Sequence, residues 1–360
     1  MAYPNDATPR QESGKDARSV QIPSTMVAVT ARRYGGSGAL AIETVPTPEP
    51  APGRLLVRVK ASSANAFDWH MLSGTPYFLR LFAGLRKPKR LIQGQDVAGI
   101  VEAVGTNAIG FKVGDAIFGS GRGSFADYTT VNPAFVAALP PGVEFEAAAA
   151  TPMAGLTALQ ALRTHGAVKP GDHVLINGAA GGVGTFAVQL AKILGVSEIT
   201  AVCSTSNVEQ ARTLGADRVV DYLQEDFVAA GNKYDVVIDN IGNRTAAEIG
   251  SILAPGARYV GVSGPMTNRW LGPMFYQFKM KRAMRRTDTT FHGFTADTNA
   301  EDLTFLANLL ASGHLVPAID RVVGLGGVAE AIDQISTGHG AGKIVIVPGR
   351  AQPGAPKNWN

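Results

Sequence analysis

Thiols are almost missing from this chain. Cys203 is the single cysteine among 360 residues, which excludes a disulfide framework and any zinc site built from cysteines. Long apolar runs are missing too: none approaches the roughly 18 residues that cross a bilayer, so no stable membrane insertion is expected. The first residues lack the apolar stretch of a signal peptide. Asp6, Glu12 and Asp16 alternate there with Arg10, Lys15 and Arg18, which suits neither a signal nor a transit peptide. Charge of one sign is also lacking, because a formal net charge of +4 over this length does not imply a nucleic-acid partner. What remains, 45% hydrophobic and 17% charged residues, is the composition of a globular protein, and a cytoplasmic enzyme is the expectation. The length exceeds one comfortable core and predicts two domains.

The chain is rich in glycine, and one glycine cluster organises it. His173-Val-Leu-Ile-Asn177 is an apolar run of strand length, and Gly178-Ala-Ala-Gly181-Gly182-Val183-Gly184 follows it directly. Behind the turn, Val183, Phe186, Ala187, Leu190, Ala191 and Leu194 recur at helical spacing and predict one buried helix face. Gly195 supplies the stop signal. Strand, glycine turn and helix in this order open a βαβ dinucleotide site, where backbone approaches a pyrophosphate at a helix N-terminus. The spacing GxxGxxG differs from the usual GxGxxG, so the motif draws its weight from the strand and helix on either side; an ordinary glycine-rich turn is the bland alternative.

Before this point the chain reads as a polar tail over residues 1–24, then short strands at 26–30, 41–45, 55–61, 100–104, 116–118 and 127–131. Many short strands separated by turn residues predict an antiparallel or barrel-like first domain. Helices over 146–150 and 156–163 lead into the second. From His173 onward strand and helix alternate, with strands at 173–177, 198–203, 218–221, 234–239 and 258–263, the rhythm of a parallel sheet covered on both faces. Residues 265–290 read as irregular. Their basic run at 279–286 is taken as a solvated loop face or a lid, beside Phe275, Tyr276 and Phe278. A last strand is predicted over 289–294, then a helix over 302–312, strands over 318–323 and 343–347 flanking a helix over 328–337, and a frayed tail after Pro348.

Several motifs fall in one order: Asn65-Ala-Phe-Asp68, Gly94-Gln95-Asp96-Val-Ala-Gly99, Gly114-Asp115, Gly155-Leu-Thr157-Ala, the glycine turn at 178–184, and Gly342-Lys343. This set resembles the medium-chain dehydrogenase/reductase superfamily, in particular its zinc-free quinone oxidoreductase-like branch. The resemblance covers residues 25–348. It implies an α/β protein with a GroES-like β-rich catalytic domain and a Rossmann domain, a doubly wound parallel sheet, and commonly a homodimer. The catalytic domain would take residues 25–150 and 295–348, the NADP-binding domain residues 151–294, and residues 349–360 a tail. Relatives that bind zinc have Cys where this chain has Asn65 and Gly-His-Glu where it has Gly94-Gln95-Asp96. The stretch 151–157 adds no thiol or imidazole, so no metal site is expected.

The resemblance and the strand ends together nominate site residues. Asn65, Asp68 and Thr157 are the catalytic candidates: Asn65 to orient the acceptor oxygen or the nicotinamide ribose, Asp68 mainly to fix its loop, Thr157 beside the nicotinamide. His70 is considered as a proton donor, and Trp69 and Tyr77 as substrate-facing or core. Gly178, Gly181, Gly182, Val183 and Gly184 hold the cofactor, joined by Asn240 at the end of a strand, by Phe294 and by Lys343. Ser204, Thr205 and Tyr222 would meet a ribose 2′-phosphate. No carboxylate stands in Cys203-Ser204-Thr205-Ser206-Asn207, whereas an NAD site wants one at the end of the second strand; NADP(H) is therefore the expected cofactor. With no Lewis acid, the substrate expected is a small electrophile that spreads developing charge by conjugation, a quinone or an enone. A non-catalytic NADPH-binding protein and a zinc-free alcohol or ketone dehydrogenase stay as alternatives.

Overall fold

The computed structural model describes residues 21–265, 268–285, 287–338 and 340–350. β1 (Thr25–Ala31) and β2 (Leu40–Pro46) form an antiparallel hairpin. β3 (Leu55–Ala64), β4 (Asp96–Val104), β5 (Ala116–Arg122) and β6 (Tyr128–Ala138) follow in antiparallel order, and β6 pairs back onto β3 through Leu55↔Val131. The four strands thus close on themselves. Their inward side chains, among them Leu55, Val57, Val97, Val101, Ile117 and Val131, fill the interior. That period-two burial is what a closed sheet requires.

The second sheet uses β7 (His173–Asn177), β8 (Glu198–Cys203), β9 (Arg218–Asp221), β10 (Tyr234–Asp239), β11 (Leu253–Gly261) and β12 (Thr290–Gly293). All are parallel, in the order β12-β11-β10-β7-β8-β9. Successive residues of β7 go to opposite faces. Val174 and Ile176 join Phe186 and Leu190 in one core, and Leu175 joins Val237, Tyr259 and Met280 in the other. Burial on both faces explains the unbroken apolar runs that mark these strands in the sequence. The chain runs from β7 outward through β8 to β9, then crosses to β10 on the other side. The carboxyl ends of β7 and β10 therefore border the switch point, where open sheets of this kind bind ligands.

After β12 the chain returns. β13 (Ile319–Val323) pairs with β14 (Lys343–Ile346), and β14 lies antiparallel to β3 through Ile344↔Ala64 and Ile346↔Ser62. The last strands thus complete a sheet begun almost 300 residues earlier. A parallel bridge between Gly181 and Gly342 ties the glycine turn to this returning strand.

At three places the structure corrects or adds to the sequence reading. Residues 265–290 are not irregular throughout: Pro273–Met284 is a helix. Met280 and Met284 are buried and Tyr276 packs beside them, while exposed Met274, Phe275 and Phe278 blur the apolar stripe on which a sequence reading depends. The second concerns Ala66–Ser73, left unassigned from the sequence, which forms a helix capped at Asn65. The third concerns residues 21–24, assigned to the tail. Ile22 packs against Met26 and its neighbours, and Ser24 O accepts from Thr47 N at 3.0 Å. At the other end Gly349 and Arg350 are described and Arg350 N donates to Val347 O; the tail readings for 1–20 and 351–360 lie outside the described residues. Among those residues, no helix is long and apolar enough to cross a membrane.

Candidate active site

The glycine turn is built for close approach. Gly178 leaves β7 with φ +78°, a left-handed conformation that costs glycine little. A Cβ on Gly184 would stand 2.2 Å from Gly178 O, and one on Gly182 would stand 3.0 Å from Cδ of Lys343. Gly181 caps the helix Gly182–Ile193, whose first amides have no intrahelical acceptor. A Cβ on Gly181 would meet only Gly178 O, at an ordinary contact distance of 3.7 Å. At the end of β10, Asn240 donates through Nδ2 to Asn177 O at 3.0 Å, yet its Oδ1 is buried without a partner. An orphaned buried acceptor carries an unmet cost, and this one lies beside Gly178 at the switch point. A cradle open at Gly181 and an unmet acceptor next to it fit a dinucleotide. Val183 packs its side chain on the core, and Phe294, just past β12, sits with its ring 4.2 Å from that of His165.

A buried polar cluster lies between the barrel and this turn. Asn65, Asp68, Asp96 and Lys343 are each less than a tenth exposed. Asp96 Oδ2 accepts from Asn65 Nδ2 and from Ser63 Oγ, both at 2.9 Å, and Oδ1 accepts from Met153 N at 3.2 Å in the first turn of the helix Pro152–Leu159. The Lys343 ammonium donates to Asn65 Oδ1 and, at 3.2 Å, to Ala64 O, and stands 3.7 Å from Asp96 Oδ2. Burial pushes Asp96 up from its ordinary pKa and Lys343 down, while their mutual attraction opposes both shifts. Asp68 Oδ2 accepts from Asn65 N at 2.9 Å. Burial first, then the Asp96 charge, raises Asp68 to about 7.

The sequence candidates therefore separate. Asn65, Asp68 and Lys343 are brought together, but Asn65 turns both amide atoms into the cluster, and Lys343 is a buried cation facing Asn65 rather than an open contact. Thr157 stands apart, its hydroxyl bonded to Met153 O at 2.7 Å. His70 Nδ1 pairs with Thr75 O at 2.8 Å. Trp69 packs on the core of the returning strands, and Tyr77 meets Trp270 edge to face. Sequence reasoning missed the amide of Gln95. It is half-buried, has no side-chain partner among the described residues, and lines an apolar cavity of about 370 Å³ with Phe67, Met71, Leu79, Phe82 and Ile92.

At the far end of the sheet, Ser204 Oγ accepts from Asn207 Nδ2 at 2.9 Å and Tyr222 N donates to Cys203 O at 3.0 Å. The reading of this end as wholly neutral is corrected. Thr205 donates to the Asp221 carboxylate at 2.5 Å, because β9 lies beside β8 and brings its last residue there.

Comparison with known proteins agrees with this geometry. Residues 51–141 match the family described as "Alcohol dehydrogenase GroES-like domain" and residues 214–346 the one described as "Zinc-binding dehydrogenase". The chain is 34% identical over 346 residues to the chloroplastic quinone-oxidoreductase QR1 of Triphysaria versicolor, covering 90% of this chain and 98% of that one. It is 30% identical over 342 residues to an NADPH-dependent alkenal/one oxidoreductase of Arabidopsis thaliana, covering 91% and 81%. The solved quinone oxidoreductase of Coxiella burnetii superposes with a TM-score of 0.79 at 28% identity, covering 90% of this chain and 99% of that one. The chain belongs to the medium-chain dehydrogenase/reductase superfamily. It is an NAD(P)-binding oxidoreductase with a GroES-like and a Rossmann part. Zinc, which one family description names, does not fit the residues present. Among the described residues no group of three or more His, Cys, Asp or Glu side chains could hold a metal. At the places where zinc relatives carry ligands, Asn65 Oδ1 is held by an ammonium and Asp96 by three hydrogen-bond donors.

Proposed function

We propose that this oxidoreductase reduces a quinone or an α,β-unsaturated carbonyl with NADPH and without a metal. One observation carries the reading: Lys343, which abuts the glycine cradle at Gly182, is tied through Asn65 to Asp68, and Asp68 lines the apolar cavity with the amides of Gln93 and Gln95, where no zinc-ligand set stands. The bound nicotinamide supplies hydride. Gly178, Gly181, Gly182, Val183 and Gly184 would hold its pyrophosphate and Asn240 its nearer ribose or amide, with Phe294 on the same side of the sheet. The chain's own part is to seat the acceptor in the apolar cavity, exclude water there, and offer the Gln95 amide to the acceptor oxygen as charge develops on it. A conjugated acceptor disperses that charge, so a neutral donor suffices where a simple ketone would want a Lewis acid. Asn65 and Asp68 act as positioning residues that hold the loop before Phe67 in place, and Thr157 stiffens the helix Pro152–Leu159.

NADPH is favoured over NADH by the hydroxyls of Ser204 and Thr205 and by Tyr222, with Asp221 setting a limit on that preference. A homodimer is supported by the open edge of β12 and by exposed Met274 and Phe278 on the helix beside it; light scattering checks it. The test of the function is NADPH consumption against a panel of acceptors after dialysis with chelator. Quinones and enones should turn over well ahead of saturated aldehydes and ketones, and Gln95→Leu should lower kcat by roughly tenfold or more, as loss of an oxyanion donor does. Asp221→Asn should tighten NADPH several-fold and leave NADH unchanged, since about 1 kcal/mol of repulsion is removed from the 2′-phosphate alone. Tight NADPH binding with no consumption across the panel would sink the proposal in favour of a binding protein.

A further inference from the structure

Arg54, Arg90 and Arg122 come from distant parts of the chain and line one cavity of about 260 Å³. Arg54 precedes β3, Arg122 ends β5, and Arg90 lies in the segment leading to β4. Barrel closure brings them together, as Arg122 pairs in register with Thr130 and Leu55 with Val131. The hydrogen bonds Gly121 N to Gln95 O at 2.7 Å and Gly123 N to Gly94 O at 3.1 Å pin the third segment alongside.

No ion pair or side-chain hydrogen bond engages any of these guanidinium groups among the described residues. Four other arginines do have a carboxylate partner: Arg58 with Glu102, Arg163 with Asp302, Arg244 with Asp226 and Arg258 with Asp172. The one carboxylate of the lining, Asp297, makes no ion pair with them. Arg54 is half-buried, while Arg90 and Arg122 are exposed at the rim; desolvation, and then repulsion from Arg122, hold Arg54 and Arg90 below the usual arginine pKa, with the Asp68 charge opposing the shift of Arg90. Like charges gathered in a concave site destabilise the fold unless something else compensates them. Guanidinium forks match the planar oxygens of carboxylate and the tetrahedral oxygens of phosphate. Ser120 and Thr298 add hydroxyls, and Phe135 adds an aromatic face.

The position matters as much as the charge. Arg90 and Gln95 line this cavity and also the apolar one beside the catalytic cleft. An acceptor reaching Gln95 with its conjugated carbonyl therefore has an anion site one side chain away. We propose that the arginine cavity binds the anionic group of the substrate, a carboxylate, sulfonate or phosphate carried by a quinone or enone whose apolar part fills the adjoining chamber. This deepens the reductase reading and rests on it; the anionic group is bound and left unchanged while the conjugated system takes up hydride and a solvent proton.

The experiment compares 1,4-naphthoquinone, its 2-sulfonate and crotonoyl-coenzyme A as acceptors for the full-length protein and for Arg54→Gln and Arg122→Gln. Each variant should raise KM for the sulfonate by about tenfold, the worth of one charge-assisted hydrogen bond, and leave kcat/KM for the neutral quinone within about twofold. A parallel KM rise for the thioester assigns the site to phosphate-bearing acceptors as well, whereas a thioester that is insensitive to both changes restricts it to compact anions. Equal losses on neutral and anionic quinones, or none on either, would overturn the proposal. If no acceptor consumes NADPH, the reductase reading fails by itself. The anion site is then read by calorimetric titration of the naphthoquinone sulfonate and of inorganic phosphate. Binding that both variants abolish upholds the site; binding that is absent, or the same in all three proteins, rejects it.

Discussion

Asp68 and Asp96 share one ammonium in a space that excludes water, and their protonation is decided by position and not by residue type. Asp68 lies farther from Lys343 in this network, so burial and the Asp96 charge move it from 3.8 to about 7. A carboxyl raised in the fold contributes stability that is full below its unfolded pKa and is lost as pH rises through its folded one. The wild-type protein should therefore lose stability between pH 5 and pH 8. Asp68→Asn keeps an acceptor for Asn65 N and cannot ionise. Relative to wild type it should gain on the order of 2 kcal/mol over that interval, read from urea unfolding at both pH values. An unchanged difference would mean that Lys343 keeps Asp68 ionised throughout.

At the scale of the element, the turn from β7 into the helix Gly182–Ile193 separates two uses of glycine. Gly184 serves the fold, because its Cβ would collide with Gly178 O at 2.2 Å. Gly184→Ala should cost about 1–3 kcal/mol, the usual penalty for overpacking, and should also impair cofactor binding. Gly181 has an extended φ of −71°, and a Cβ there would meet nothing nearer than Gly178 O at 3.7 Å. Gly181→Ala should leave the melting temperature in place and still weaken NADPH at least tenfold, because the added methyl fills space the pyrophosphate needs. Melting curves and fluorescence titration of both variants settle the division of labour. Pro273–Met284 teaches the opposite lesson about legibility. Its buried methionines fall at helical spacing, but three exposed apolar residues share the same turns, so the apolar face was not distinct.

For the whole molecule, the decisive event is the return of the chain after β12. The helix Ala300–Ala311 is fastened to the entry of the nucleotide-binding sheet through Asp302, which accepts from Gln160 at 2.8 Å, from Arg163 and from Asn299. Those bonds outweigh burial and hold the Asp302 carboxyl below its ordinary pKa. Asp302→Ala leaves Gln160 and Arg163 unmatched and should cost about 2 kcal/mol, discounted because Arg163 is 40% exposed. The same unfolding measurement at low pH should show wild type and variant converging, since the contribution fades as pH falls through the lowered pKa.

The sequence by itself determined whatever rests on neighbours along the chain. Strand length, glycine spacing and helical period placed β7, the turn and the helix after it, and Asn65 and Gln95 at the places of zinc ligands gave the expectation of no metal. The ordered motifs were enough to identify the family and both kinds of sheet. Contacts that join residues far apart in the chain belong to the tertiary structure alone. Lys343 reads as a cofactor contact until β14 is laid against β3 and its ammonium meets Asn65 and Asp96. The sheet order already brings Tyr222 near Ser204, but only the structure shows the Asp221 carboxylate taking the Thr205 hydroxyl there. The arginines at 54, 90 and 122 carry no shared pattern, because barrel closure gathers them through a register that no linear period records. Local propensity acts over a few residues; pairing across a sheet depends on the free energy of the whole core.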